Sequence, residues 1–276
     1  MKKTLFLLMI AAMALPGTAS AFDHSYKLWN SDLKQFNEDG YIHYGAWQRN
    51  HARLDRYLHE MQAVTHREIN SWPPAQKEAF WINAHNALVV ARILDAYPKV
   101  YDLHDKQWMI AGQQIEIEDI RDKILRGTES SVAVFSAVLG RDTSIAPDKD
   151  LRILFAICEG SKASAPLAAT AYTAKHLSKQ LEQQVRRTLS DPSFLRVEPR
   201  LKIFHVGNFF RTYQRDFKQY KGNALLFERT TGSDRGVLRF IFNYLDKPTQ
   251  DAVLAKQQRP WRVDYRRSKH DLNGGD

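Results

Sequence analysis

The stretch Ala79-Phe80-Trp81-Ile82-Asn83-Ala84-His85-Asn86-Ala87-Leu88 decides the fold of this chain. Apolar side chains fall on nearly every face of its 3.6-residue period, which is typical of a helix buried on all sides. Pro73 and Pro74 suit the first turn of a helix, and Tyr97-Pro98 stops the apolar run. The sequence therefore predicts a central buried helix over residues 71–97.

Two polar residues interrupt this apolar helix. Asn83 and Asn86 are three residues apart and so lie on neighbouring positions of one face. Buried amides must be hydrogen-bonded. Two interpretations stay open: the amides clamp the backbone of an adjoining loop, or they bind a substrate in a cleft together with Arg126 and Arg152.

Working outward, the patterns predict further elements on both sides. They are an amphipathic helix over 44–63, a hairpin around Gly112, a short helix over 118–126, a buried strand at 151–158, a helix over 173–189, one or two strands between 197 and 206, and aromatic-rich helices over 209–220 and 236–246. The predicted fold class is α/β (mixed α+β). We expect a single globular domain over residues 22–258, with a buried central helix, a small sheet and several surrounding helices.

Residues 1–21 have the pattern of a secretory signal peptide. Lys2 and Lys3 precede the apolar run Leu5–Leu15, and Ala19-Ser20-Ala21 offers a small-residue cleavage site. The run is shorter than the ~20 residues that span a bilayer, so no transmembrane anchor is expected. We predict a periplasmic or secreted protein whose mature chain starts at Phe22.

The composition constrains the partners. The chain carries a formal net charge of +9, and its one cysteine, Cys158, cannot form an intramolecular disulfide. A basic protein in an envelope compartment is attracted to anionic surfaces. The expected partner is an anionic envelope component: lipopolysaccharide, an acidic glycan or a phospholipid surface, with no specific nucleic acid.

The chain ends in a basic segment over residues 259–276. Around it, cationic and aromatic side chains alternate: Lys256, Arg259, Trp261, Arg262, Tyr265, Arg266, Arg267 and Lys269. This pattern favours a flexible tail. The tail is either a contact surface for the anionic component or a solvated segment partly packed by Trp261 and Tyr265.

The block at residues 79–88 resembles the signature of the domain of unknown function 547 family. Supporting segments follow in the same order: Leu54–Leu58, the Gly112 hairpin with Ile117–Ile120 and Ile124–Arg126, Asp150–Leu167, Tyr172-Thr173 and Phe210–Phe217. The resemblance covers about residues 40–245. It implies a shared mixed α/β domain and brings no established activity.

The chain departs from the family pattern at three places. It has Arg121-Asp122 where the family usually shows Glu-His, and Ala163-Ser164-Ala165-Pro166 where the family commonly reads Ser-Cys-Pro-Pro. Leu154 replaces a family histidine. If relatives use a cysteine and a histidine for nucleophilic chemistry, this chain has lost the thiol and both candidate bases.

Three residues are candidates for catalysis: Ser164, Cys158 and His205. Ser164 follows the predicted strand in a loop, and His205 with Asp216 would complete a Ser-His-Asp set if the fold brought them together. Cys158 ends an apolar run, where a thiol is usually unreactive, unless Lys162 activates it. No metal-binding pattern stands out, and no cofactor is expected.

Two function classes remain. The first is a non-catalytic binding protein for an anionic envelope component. The alternative is a hydrolase or acyltransferase-like enzyme with an altered nucleophile site around Ser164. The loss of the family cysteine and histidines favours the first.

Overall fold

The computed structural model describes residues 21–99, 106–127, 150–267 and 271–276; residues 1–20, with most of the predicted signal peptide, lie outside the described residues. The first half contains the helices α1 (Lys27–Phe36), α2 (Tyr44–Arg49), α3 (Ala52–Ala63), α4 (His66–Ser71) and α5 (Pro74–Ala96). Between α1 and α2, strands β1 (Asn37–Glu38) and β2 (Tyr41–Ile42) pair antiparallel. The hairpin β3 (Trp108–Ile110) and β4 (Gln113–Ile115) follows, and then α6 (Ile117–Asp119) and a π-helix at Ile120–Leu125.

The second half combines short helices with a three-stranded sheet. It contains a 3₁₀-helix at Leu151–Phe155, α7 (Leu177–Ser190), β5 (Leu195–Glu198), β6 (Ile203–Val206), α8 (Asn208–Thr212), α9 (Gln214–Lys218), α10 (Gly232–Phe242), α11 (Lys247–Leu254) and β7 (Arg262–Tyr265). Strand β6 is central, antiparallel to β5 and parallel to β7, with Val206 opposite both Leu195 and Tyr265. The mixed helix and strand content confirms the predicted fold class.

Helix α5 is the buried central helix that the sequence predicts. Pro74 occupies its first turn, and the N–H of its C-cap residue, Tyr97, still bonds to the carbonyl of Ile93. Buried side chains follow one another without a break from Ala79 to Ala91. The helix is therefore surrounded, as its unbroken apolar pattern requires.

The core has two clusters of buried side chains. The first surrounds α5 and draws on α1–α6, and the second is rich in phenylalanine and lies among α7–α10 and the sheet. The segment after the 3₁₀-helix joins them, because Phe155 packs in the second cluster while Ala156, Ile157 and Cys158 pack in the first.

Asn86 of α5 holds this junction, and Asn83 holds a second backbone segment. The amide of Asn86 donates to the carbonyl of Ala156 (2.9 Å), and its oxygen accepts from the N–H of Cys158 (2.9 Å). Asn83 does the same with Tyr172, donating to its carbonyl (2.8 Å) and accepting from its N–H (2.9 Å). Each amide thus clamps one backbone segment, which is the first of the two interpretations above.

The predicted strand at 151–158 is wrong. Residues 151–155 form a 3₁₀-helix capped by Asp150, whose carboxylate accepts from the N–H of Arg152 (3.0 Å). The polar groups at 156 and 158 bond to Asn86, so no partner strand is needed. A short apolar run reports burial, and burial alone does not distinguish a strand from a helical turn.

The predicted helix over 44–63 is divided into α2 and α3. The division lies at Asn50, whose side chain donates to the carbonyl of Ala46 (2.9 Å). Asparagine competes with the helix backbone in this way and favours helix ends.

The prediction of a flexible tail over 259–276 is also wrong for the described residues. Residues 262–265 form β7, and Trp261 is buried against Phe204 and Phe227. Asn273 is buried as well. Trp261, Val263 and Tyr265 belong to the second core cluster, and Leu272 packs against the first, whereas Lys269 lies outside the described residues.

None of the helices in the described ranges combines the length and apolarity needed to cross a membrane.

We predict that Asn86→Ala lowers the free energy of unfolding by ~2–5 kcal/mol, because it leaves a buried carbonyl and a buried N–H without partners. Chemical denaturation monitored by circular dichroism measures this change. Asn70→Ala on the exposed part of α4 is the matched control, with an expected loss below ~0.5 kcal/mol. Equal losses in the two variants would contradict the clamp.

Candidate functional site

The loop that follows Cys158 carries Ser164 between two cavities. The larger cavity has a volume of about 750 Å³ and the smaller one about 280 Å³. Ser161 and Ser164 line both. This loop is held by Asn86 at its start, so the helix that decides the fold also fixes the position of Ser164.

The hydroxyl of Ser164 is occupied by the loop itself. It donates to the carbonyl of Ser161 (2.8 Å) and accepts from the N–H of Glu159 (3.1 Å). Within the described ranges, no imidazole or carboxylate is hydrogen-bonded to it. A serine becomes a nucleophile only when a base takes its proton, so this geometry is that of a turn-stabilising hydroxyl.

The smaller cavity is walled by a network of opposite charges. Arg121 bonds to Asp122 (2.8 Å) and Glu159 (3.3 Å), and Arg126 bonds to Asp122 and to Asp216 (2.6 Å). Two guanidinium groups thus face three carboxylates. The wall has no excess of positive charge with which to bind an anion.

Ion pairing and hydrogen bonding shift the pKa values of Asp122 and Arg121 in this network. Burial acts to raise the pKa of Asp122, but hydrogen bonds and charge from Arg121 and Arg126 outweigh it and leave that pKa below its usual value. The hydrogen bond to Asp122 raises the pKa of Arg121 in turn. Arg121 and Asp122 therefore stay charged at neutral pH, so neither is positioned as a proton donor or acceptor for catalysis.

Two positions at which the chain departs from the family pattern lie together in the smaller cavity. Arg121 and Ser164, which stand where the resemblance leads one to expect Glu and Cys, line the same cavity. Leu154 is instead buried in the second core cluster. The sequence could not show this convergence, because it depends on how the π-helix packs against the loop.

The charged residues that line the larger cavity almost balance one another. Its cations are Lys162, Arg187, Arg266 and Arg267, and its acids are Asp39, Asp191 and Asp271. Two of these groups neutralise each other, since Arg187 bonds to Asp39 (2.9 Å). Arg266 donates to the carbonyl of Pro192 (2.7 Å).

The thiol of Cys158 is buried below the same loop, with 3% of the residue exposed. Burial raises its pKa to about 11. The side-chain amide of Asn273 covers the sulfur at 3.7 Å. A protonated, covered thiol is unreactive, and Lys162 does not change this, because its side chain is exposed in the larger cavity.

The remaining predicted site residues are dispersed. His205 lies on β6 and bonds to Asp264 of β7 (2.7 Å), while Asp216 pairs with Arg126, so no Ser-His-Asp set forms among them. Arg152 bonds to Asp150 and Ser178. Of the predicted substrate-binding residues, only Arg126 lines a cavity beside Ser164, since Asn83 and Asn86 are bonded to the main chain.

A third cavity, between α9 and α10, has a different character. Its volume is about 450 Å³, and the described residues that line it include no acid but four cations: Lys218, Lys221, Arg235 and Arg239. We refer to it as the cationic cavity. The two lysine side chains have no hydrogen bond or ion pair with any described residue, whereas the arginines are held by main-chain carbonyls.

Those carbonyls orient the two guanidinium groups. Arg235 donates to Thr230 (2.6 Å), and Arg239 donates to Leu226 (2.9 Å) and to Ala224. Burial and the charge of Arg235 lower the pKa of Arg239, although Glu228 acts in the opposite sense. The hydrogen-bond partners of both guanidinium groups are thus neutral main-chain carbonyls.

A glycine makes the cationic cavity possible. A Cβ on Gly236 would lie 1.9 Å from the carbonyl oxygen of Phe217, so only glycine lets α10 approach α9 this closely. Sequence analysis missed the cluster because its members come from separate helices. The glycine within an otherwise helical pattern was the one available signal of a close approach.

Within the described residues, no group of three or more His, Cys, Asp or Glu side chains could hold a metal ion.

Comparison with known proteins identifies one family. Residues 69–188 match the family described as "Protein of unknown function, DUF547", which confirms the resemblance seen in the sequence. The matched segment includes α5, the hairpin, the Ser164 loop and most of α7. No curated protein and no solved structure matches the chain.

We predict that a fluorophosphonate probe does not label the native protein, because Ser164 has no base. Labelling is measured by intact-protein mass spectrometry. Ser161→Ala and Ser164→Ala are matched variants of neighbouring hydroxyls in the same cavities. Labelling that disappears only in Ser164→Ala would contradict the prediction.

Proposed function

We propose that this DUF547-containing protein is a non-catalytic binding protein for an anionic component of the cell envelope, and that the cationic cavity is its binding site. The observation that carries the proposal is that the described residues lining this cavity include four cations and no acid. A volume of about 450 Å³ suits a phosphate, sulfate or carboxylate group with part of the sugar or glycerol that bears it.

The charge balance of the three cavities supports this choice. Near Ser164, the cations already have partners: Arg121 and Arg126 face carboxylates, and Arg187 is paired with Asp39. An anion there would compete with existing ion pairs. In the cationic cavity, Lys218 and Lys221 are exposed and offer ammonium groups that no described side chain neutralises.

The two arginines supply the fixed part of such a site. Hydrogen bonds to the main chain hold Arg235 and Arg239, so little side-chain entropy is lost when a ligand binds. The exposed side chains of Lys218 and Lys221 supply positive charge that can adjust its position to the ligand. Binding at this exposed site would be strongly dependent on ionic strength, because the Debye length is ~10 Å at 0.1 M salt.

The alternative is a hydrolase or acyltransferase-like enzyme that uses Ser164. Its support is the position of the hydroxyl between two cavities. It requires a general base, and no described residue that is hydrogen-bonded to the Ser164 side chain is one. The fluorophosphonate experiment above decides between the two functions.

The envelope location of the proposal depends on processing of the signal peptide at Phe22. Phe22 is buried against Tyr26, Trp72 and Phe80, and its main-chain nitrogen lies 2.9 Å from a carboxylate oxygen of Glu68. Cleavage before this residue would create an ammonium group at that nitrogen. Glu68 would then neutralise the new charge with a short ion pair.

We predict that the exported protein begins at Phe22 and that cleavage stabilises the fold through Glu68. Mass spectrometry of the periplasmic or extracellular form measures the start. Glu68→Gln should lower the melting temperature of the mature protein more than Glu60→Gln, a matched change on the exposed side of α3. An exported product that retains Leu5–Leu15 would contradict cleavage.

We predict that Lys218→Gln/Lys221→Gln weakens binding to heparin, the polyanion used as the probe. The slope of log affinity against log salt concentration should fall by roughly one for each lysine removed. Isothermal titration calorimetry at several salt concentrations measures the slope.

Two double variants with the same loss of charge serve as controls. Lys175→Gln/Lys179→Gln changes exposed lysines at the start of α7, and Arg262→Gln/Arg267→Gln changes the segment that the sequence suggested as the contact surface. If all three pairs weaken binding equally, net charge and not the cationic cavity determines affinity. If only the Arg262/Arg267 pair does so, the contact surface lies on the basic segment.

A further inference from the structure

Residues 271–276 lie in a groove of the protein as an extended segment. We refer to them as the covering segment. The groove runs between Gly40–Tyr44 on one side and Cys158–Lys162 on the other, with Tyr97 at its end. Its floor is the buried thiol of Cys158.

Main-chain hydrogen bonds attach the covering segment to both sides of the groove. On one side, the N–H of Lys162 donates to Asp271 (2.9 Å), and the N–H of Asn273 donates to Gly160 (3.1 Å). On the other, the N–H of Ile42 donates to Asn273 (3.2 Å), and Gly275 donates to Ile42 (3.0 Å). The segment therefore adds to the edge of the groove as a peptide ligand adds to a sheet edge.

Two side-chain features give this pairing specificity. The amide of Asn273 accepts from the hydroxyl of Tyr44 (2.7 Å) and covers the Cys158 sulfur. A Cβ on Gly274 would lie 1.9 Å from the carbonyl oxygen of Ile42, whereas a Cβ on Gly275 meets only the Tyr41 hydroxyl at 3.4 Å. The groove thus selects asparagine followed by glycine.

We propose that this groove is a binding site for extended peptides with an Asn-Gly pair, and that the covering segment is its resident ligand, exchangeable for the same sequence supplied from another molecule. The groove has the two properties of a peptide site, main-chain pairing along its length and a side-chain selection at its centre. Asp271 and Asn273 also form part of the wall of the larger cavity, so displacement of the segment opens that cavity toward Cys158.

The single cysteine makes occupancy of the groove measurable. N-ethylmaleimide adds one mass increment to the chain, and only at Cys158. Gly274→Ala in the full chain should displace the covering segment and increase the modification rate by at least ~10-fold, because the thiol loses its cover. Gly275→Ala is the matched control and should react at the rate of the unchanged protein.

The decisive step is addition of a peptide in trans. A synthetic peptide of sequence DLNGGD, added to the Gly274→Ala protein, should restore protection of Cys158, and the peptide DLNAGD should not. Asn273→Ala provides a second route to an uncovered thiol if Gly274→Ala lowers the melting temperature. Equal rates in all proteins, or failure of DLNGGD to protect either variant, would overturn the proposal.

Discussion

Four hydrogen bonds from two asparagine side chains of α5 fix the arrangement on which the other parts of the molecule depend. An amide offers a donor and an acceptor, so one side chain can satisfy both polar groups of a backbone segment that has no partner strand. Asn86 does this for residues 156 and 158, and Asn83 does it for residue 172. Because residue 155 packs in one core cluster and residue 157 in the other, the Asn86 clamp also sets how the two clusters meet.

The character of the Ser164 region follows from this clamp. The loop after Cys158 turns back on itself and uses the Ser164 hydroxyl to close the turn, while Glu159 is directed toward Arg121 and Tyr213. The charges of Arg121, Arg126 and Glu159 near the serine are thereby paired, and burial raises the pKa of the neighbouring thiol. Two cavities adjoin this serine, and among the described residues no carboxylate or imidazole is hydrogen-bonded to its hydroxyl. Proton transfer requires a base near the operating pH within hydrogen-bonding distance.

The sequence predicted those features that depend on local pattern. Unbroken apolar spacing identifies α5, and Gly112 between two short apolar runs identifies the hairpin, because periodicity and turn chemistry act over a few residues. The burial of residues 151–158 is visible in the sequence and predicts a strand. Their bonding to Asn86, an asparagine some seventy residues earlier, is not visible there. The charge of the last residues predicts a flexible end of the chain. Packing of a few apolar side chains orders part of this segment instead, since Trp261 is buried in a core cluster and β7 completes a sheet.

Net charge is likewise too general a property to locate a functional site. A net charge of +9 attracts the protein to anionic surfaces in general and does not show where an anion binds. Cations near Ser164 outnumber those in the cationic cavity, yet carboxylates and carbonyls already engage most of them, so a ligand anion would gain little by replacing an existing partner. The glycine at 236 brings α9 and α10 together so closely that four cations share one space with no acid in its lining. Burial lowers the pKa of Arg239, and the charge of Arg235 lowers it further, so repulsion between these two guanidinium groups opposes the charged form of Arg239. In the function proposed above, a bound anion would reduce that repulsion, whereas near Ser164 it would have to replace carboxylates that are already paired with the cations.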